Sequence, residues 1–393
     1  MHIYVCEESI KYLPGYLLYL PTSKVKFVSD HCIWRRSTLR DKLISNPVSP
    51  LFVRPRACNM LIIYSIDSAI TSFFESNKTV TRQQCDDFAL SRVGGQVVPV
   101  PIQGSYSYTI MAGRNESRIF QFRTHNSVID ISIIDLAKTI HPQLIADCKY
   151  HGTIGQSQPL HIYEMNKLPG TNYITARPAS VEQSPAAVAR QQNTAAHLAK
   201  FFAQSWNHRQ QLHQDDRAAL LADFRDKFEL LSQSLPSRFA PNLDRVSKEL
   251  PRLFKDTLPF VFCHDDLREM NILIQPETGS ITGVVDWAEA RILPFGLTLW
   301  ALENILGYMN SKGWHYFNNR HELEKIFWDT FRKEAENLSD DDLPLIHIAR
   351  MTGLFYHYGL LRDGKVCQGV VHELHSFAYL DAFCTIDDWM PFM

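Results

Sequence analysis

The sequence predicts an α+β fold in which a small strand-rich part precedes a larger helical part. Three observations support this. Between residues 97 and 123, short apolar runs with period two are separated by glycine-bearing turns, the pattern of an antiparallel meander. From Ser184 onward, apolar residues recur at helical spacing through several segments, with only brief apolar runs between them. The 393-residue chain is 45% hydrophobic and 21% charged, which suits a large globular core and not a disordered chain.

Residues 1–66 are broken by prolines and show no sustained period, so they read as an extension without assigned chemistry. The strand-rich part then spans 67–168 and the helical part 169–393. Residues 67–77 and 81–93 suit helices. Thr81 and Gln84 have capping-box spacing, and Gly94-Gly95 stops the second helix. Residues 97–101, 106–111 and 118–123 suit strands, with a loop at Gln103-Gly104-Ser105 and a turn at 113–115. A helix over 128–140 and a strand over 160–165 follow. Ser184 with Pro185 predicts an N-cap and first-turn proline, after which Val188, Ala195, Leu198, Phe202 and Trp206 share a face. Residues 217–235 and 243–254 suit further helices, while 260–263, 272–274 and 281–285 suit strands. After Gly296, helices are expected at 298–310, 321–336, 343–361 and 370–384, with Thr298 capping the first.

Composition narrows the function. The net charge is −2, so no basic surplus points to nucleic acid or an anionic membrane. No apolar run reaches the length of a transmembrane helix, and the N-terminus lacks the pattern of a signal peptide. The 8 cysteines are scattered without metal spacing, which suits free thiols in the cytoplasm.

The chemistry concentrates in Phe262-Cys-His-Asp-Asp-Leu-Arg-Glu-Met-Asn-Ile-Leu-Ile274 and Gly283-Val-Val-Asp-Trp287. The skeleton is His264-x-Asp266-x4-Asn271, with Asp286 following. A carboxylate beside a hydroxyl can accept its proton. An amide oxygen and a second carboxylate can hold a hard cation against phosphates. Apolar strands on both sides would fix these groups. The alternative is a capped loop with a satisfied Asp–His pair.

This window resembles the catalytic and metal-binding loops of the aminoglycoside phosphotransferase/choline kinase-like family, and most closely its fungal group. The resemblance covers roughly residues 81–310, and more weakly the C-terminal helices. It implies a protein-kinase-like two-lobed fold with a small strand-rich N-lobe and a large helical C-lobe. It also implies Asp266 as catalytic base, His264 as the residue that props the loop, and Asn271 and Asp286 as Mg²⁺ ligands. Gly104, Ser105 and Ser107 would lie in the phosphate-covering loop; a plain hairpin turn is the alternative. Arg123 would stand where the family has a phosphate-binding lysine, sharing a face with Gln121; a solvated edge arginine is the alternative. Asp130, or else Asp135, would be its acidic partner. Tyr163-Glu-Met165-Asn-Lys-Leu168-Pro-Gly170 resembles the linker between lobes, placing Met165, Asn166 and Leu168 at the adenine, with a core methionine as the alternative for Met165.

Two departures stand out. Asp265 fills a slot where the aminoglycoside phosphotransferases have glycine, and the stretch after Pro294 lacks their aspartate. Residues 296–393 carry 14 acids against 8 Lys/Arg, and 16 aromatics, which suits an acceptor pocket for an amine-bearing or flat substrate. The expected function is ATP-dependent phosphorylation of a small-molecule hydroxyl, such as that of a secondary metabolite or aminoglycoside-like compound, with ATP and Mg²⁺. The alternative is a kinase-like binding protein without transfer. Pro294 follows Asp286 too closely for a long activation segment, which disfavours a protein kinase.

Overall fold

The computed structural model describes residues 65–178, 184–255, 257–310, 312–363, 366–372 and 374–385. The extension read at 1–66 lies outside them as far as residue 64. Helices α1 (Ile66–Ser76) and α2 (Arg82–Val93) come first. The full capping box forms at α2: Thr81 Oγ1 accepts from Gln84 N, and Gln84 Oε1 accepts from Thr81 N at 2.8 Å.

Strands β1 (Val98–Pro99), β2 (Ser107–Ala112), β3 (Arg118–Arg123), β4 (Cys148–Ile154) and β5 (Leu160–Asn166) form one antiparallel sheet in the order β1-β2-β3-β5-β4. The register opposes Tyr108 to Phe122 and Ile110 to Phe120. All four are buried, and they pack against α1 and α2 through Phe74 on Tyr108 at 5.0 Å and Phe88 on Phe120 at 6.3 Å. The fourth strand was not expected from sequence. It is an edge strand with no fully buried residue, so it lacks the apolar alternation that marks a strand.

Helix α3 (Ile131–Ile140) starts later than the expected 128, because Asp130 caps it, accepting from Ser132 N at 2.9 Å. Its Ile134, Ala137 and Ile140 join the larger core of the helical part. That part contains β6 (Thr171–Asn172), α4 (Tyr173–Ala176), α5 (Pro185–Asn207), α6 (Gln214–Ser234) and α7 (Ala240–Leu253). Ser184 Oγ caps α5 with Pro185 in its first turn, and the face carrying Leu198, Phe202 and Trp206 is buried, as its spacing requires. Four short strands follow. Strand β7 (Phe260–Cys263) pairs with β10 (Arg291–Pro294), and β8 (Ile272–Ile274) pairs with β9 (Ile281–Val284) and with β6.

The remaining elements are α8 (Glu303–Leu306), β11 (Gly307–Asn310), β12 (Gly313–Tyr316), α9 (Arg320–Glu334), α10 (Asp342–Gly359), β13 (Leu360–Asp363), β14 (Val366–Val370) and α11 (Leu374–Phe383). Two expectations fail here. The helix expected at 298–310 is a 3-10 turn over Leu299–Leu302 followed by α8, and it ends at Leu306. Gly307 then lies so close to His315 that a Cβ would overlap its backbone oxygen, and β11 and β12 form a hairpin instead. Thr298 is buried and makes no capping bond. Likewise, the helix expected through 361 stops at Gly359, where the β13–β14 hairpin begins. The fold class is nevertheless the expected one: α+β, a sheet-rich part with its own core preceding a helical part with a larger one.

The larger core encloses neutral histidines. His141 stacks on Phe201 at 4.1 Å, and burial pulls its pKa from 6.5 to about 4; burial also brings His347 to about 4. The unfolded chain therefore binds protons that the native chain excludes as pH falls below 6.5. The stability these groups confer is complete above the unfolded value and is lost progressively towards about pH 4. Urea midpoints should fall between pH 7 and pH 5, with a smaller fall in His141→Asn; a flat midpoint would contradict this.

Candidate active site

Strand β7 delivers the chain to His264, and β8 carries it away after Asn271, so the intervening loop is anchored at both ends by buried strands. Its backbone is tied from outside. Asn304 Nδ2 donates to the Leu267 carbonyl at 3.0 Å, Ile174 N donates to the Glu269 carbonyl at 3.1 Å, and Asn172 Nδ2 donates to the Met270 carbonyl. These long-range ties escaped sequence reading, because nothing local marks Asn172 or Asn304.

His264 is buried and props the loop in a defined tautomer. Its Nε2 donates to the Val285 carbonyl at 2.9 Å, while Nδ1 accepts from Asp266 N at 3.3 Å. Trp287 meets the imidazole edge-on at 4.6 Å, and burial lowers the pKa, keeping the ring neutral. One side chain thus connects the Asp266 backbone to the residue preceding Asp286.

The Asp266 carboxylate accepts from Arg268 Nε at 2.8 Å on Oδ1 and from Asn271 Nδ2 at 3.2 Å on Oδ2. Its side chain stays 30% exposed, enough to meet a solvent-borne molecule. Asn271 Nδ2 also donates to the Asp266 carbonyl at 2.7 Å. Those two bonds orient the amide and leave Oδ1 for another partner. Asn271 is tied to the second motif through its carbonyl, which accepts from Val285 N at 2.9 Å.

Asp286 follows β9 in a left-handed conformation at φ 64°, a conformation aspartate tolerates better than most residues. Its carboxylate is 42% exposed and meets Arg123 Nη1 at 3.3 Å. Arg123 ends β3 and is buried. It also donates to Gln121 Oε1 at 3.1 Å, as their shared face requires, and to Ser127 through its carbonyl at 2.7 Å and its hydroxyl at 2.6 Å. The sheet-rich part and the Asp286 end of the second motif therefore meet through the Arg123 guanidinium. Ser127 was not foreseen from sequence.

The other expected site residues are placed as follows. Asp130 is exposed and caps α3, with its carboxylate also accepting from Ser132 Oγ at 2.8 Å. Gly104 and Ser105 are exposed in the loop before β2, and Ser107 Oγ lies 3.2 Å from Thr109 Oγ1. Buried Gln103 braces that loop, donating to the Val100 and Thr109 carbonyls at 3.1 and 2.8 Å and accepting from Thr109 N at 2.9 Å. Met165 and Asn166 end β5, and Met165 packs on the larger core. Leu168 lies against Gly283 of β9, where a Cβ would come within 2.7 Å of Leu168 Cδ1. Thr282 Oγ1 donates to the Pro169 carbonyl at 2.6 Å, so the linker is seated on the hairpin that leads to Asp286.

The donor set suits a hard divalent cation: an amide oxygen with its nitrogen already committed, and a half-exposed carboxylate. Among the described residues no group of three or more His, Cys, Asp or Glu could hold a metal, so such a cation would take further oxygens from water or a bound ligand.

Residues 133–302 match the phosphotransferase enzyme family (APH). The matched span contains His264, Asp266, Asn271 and Asp286, and begins after Arg123. No curated protein matches the chain. Among solved structures, the chain is similar to the amicoumacin kinase hAmiN in complex with AMP-PNP, Ca²⁺ and Ami, at 16% identity and TM-score 0.49, covering 79% of this chain and 93% of that one. It is also similar to the AMP-bound spectinomycin phosphotransferase APH(9)-Ia, at 16% identity and TM-score 0.42, covering 77% and 95%. Macrolide 2'-phosphotransferase MphH from Brachybacterium faecium, as apoenzyme, is similar at 13% identity and TM-score 0.44, covering 70% and 92%. Among the described residues no helix is long and apolar enough to cross a membrane.

Proposed function

We propose that this chain is an ATP-dependent phosphotransferase that phosphorylates the hydroxyl of a small molecule. The observation that supports this most strongly is the meeting of Arg123 with Asp286, beside the loop carrying Asp266 and Asn271. Asp266 would accept the proton of the acceptor hydroxyl, with Arg268 and Asn271 fixing its direction. Arg123 would bind nucleotide phosphate, and the exposed loop at Gly104 and Ser105, which leads into buried Ser107 at the start of β2, would cover it. Met165, Asn166 and Leu168 would meet the adenine, and Asp130 would act near Arg123 from the start of α3. Asn271 and Asp286 would hold Mg²⁺, which when bound neutralises charge on the transferring phosphoryl group.

Secondary metabolites and aminoglycoside-like compounds are the first acceptors to screen, since the sequence most resembles the fungal group of the family. The free thiols of Cys85, Cys148, Cys263, Cys367 and Cys384 suit a reducing cytoplasm. One observation favours a kinase-like binding protein instead: Arg268 Nε already occupies Asp266 Oδ1 at 2.8 Å, which leaves less of that carboxylate free for an acceptor hydroxyl.

A thermal-shift titration with Mg–ATP, followed by a metabolite phosphorylation screen, tests the proposal. Stabilisation by Mg–ATP exceeding that by ATP alone is expected, and no response to either would overturn it. Arg123→Ala should weaken ATP binding more than adenosine binding, by about 1.5–3 kcal/mol for a lost charge-assisted contact. An equal loss for both ligands would give Arg123 a folding role.

A further inference from the structure

We infer that Arg362 on β13 is a positioning residue that fixes the spacing of Asp266 and Asp286; its consequence for turnover rests on the phosphotransferase reading. Asp265 immediately precedes Asp266 and adopts φ 56°, the left-handed region. A glycine would reach this conformation without strain, and a side chain persists there only when its surroundings hold it. The Asp265 side chain is 5% exposed, and such a buried carboxylate requires charged partners. It has two. Oδ2 accepts from Arg291 Nε at 2.8 Å and from Arg362 Nη2 at 3.3 Å.

The two arginines have different origins. Arg291 opposes Cys263 in the β7–β10 pair, so it belongs to the same strand framework as the loop. Arg362 arrives from the C-terminal hairpin, 97 positions along the chain from Asp265 and outside the family-matched span. Its Nη2 also lies 3.7 Å from Glu289 Oε2. Glu289 closes the 3-10 turn Trp287–Glu289, which begins directly after Asp286. One guanidinium therefore touches the residue before Asp266 and the turn after Asp286. Tyr356 of α10 backs both arginines, with its ring centre 5.3 Å from the Arg291 guanidinium and 5.2 Å from that of Arg362. Asp286 is itself left-handed, so both groups adjoin backbone that relaxes once the clamp is released. The C-terminal hairpin thereby becomes part of the site.

The test uses the full chain with Arg362→Ala, Arg362→Lys and Asp265→Gly. Hydrogen exchange is followed in peptides covering 262–272 and 284–290, beside ATP hydrolysis with water as acceptor. Arg362→Ala should speed exchange in both peptides by about 10-fold with little change elsewhere. It should also lower kcat for Mg–ATP by about 10-fold with KM within about 2-fold. Arg362→Lys should recover part of both effects, and Asp265→Gly should reproduce the 262–272 effect without strain at φ 56°. Faster exchange confined to 360–370, or an unchanged kcat in Arg362→Ala, would overturn the inference. A native chain without any ATP turnover would defeat the phosphotransferase reading, while the exchange arm would still decide whether the clamp exists. If Arg362→Ala does not fold, Arg362→Lys and Asp265→Gly decide it alone.

Discussion

Asp266→Asn is expected to lower phosphoryl transfer by about 10²–10⁴-fold while Mg–ATP affinity stays close to that of the native chain. Asparagine keeps the shape of the side chain but is a far weaker base. The contacts around it are informative about what else should change. Oδ1 accepts from Arg268 and Oδ2 from Asn271, so a neutral amide can retain only one of these bonds as an acceptor. Arg268 would lose a charged partner, and a modest loss of stability should accompany the loss of rate. The rate loss should fall on kcat, because the bonds from His264 and Asn271 to the loop backbone remain. Near-normal turnover would remove Asp266 from the mechanism. Transfer that persists only at high pH would point to another base.

Asp286→Ala is expected to abolish the Mg²⁺-dependent part of ATP binding. Its carboxylate is the one charged member of the proposed cation pair, and Asn271 alone supplies a single neutral oxygen. Two consequences complicate the alanine variant. Alanine at φ 64° carries backbone strain of about 1–2 kcal/mol, and Arg123 loses its acidic partner. Asp286→Asn separates these effects, since asparagine tolerates the left-handed conformation while lacking the charge. Calorimetric titration of ATP with and without Mg²⁺ should show the Mg²⁺ increment disappear in both variants. An increment retained in Asp286→Asn would sink the ligand assignment.

The parts of this molecule that were legible in the sequence are those written in local chemistry. Thr81 with Gln84, and Ser184 with Pro185, announce the starts of α2 and α5 within three residues. The runs at β7, β8 and β9 are short but fully or nearly buried, and apart from Thr282 and Gly283 they are made of apolar side chains. The spacing of His264, Asp266 and Asn271 lies within one loop, and Asp286 follows the next hairpin. By contrast, β4 is polar on its exposed side, and β11–β12 mixes aromatics with Asn310 and His315 in a way no single period captures. The supports of the site were hidden for a different reason. Asn304 reaches Leu267 across 37 positions and Arg362 reaches Asp265 across 97, and no sequence pattern links such pairs. Asp265 itself illustrates the limit: in the sequence it is only a departure from the family's glycine, yet in the fold it is a buried carboxylate with two arginine partners.

Transfer of label from γ-³²P-ATP to a pool of hydroxyl-bearing small molecules, in the presence of Mg²⁺, tests the proposed function most directly. The native chain should produce a labelled small-molecule phosphate, and Asp266→Asn should lose it while still binding Mg–ATP. Label appearing on protein side chains, or undiminished small-molecule labelling by Asp266→Asn, would contradict it.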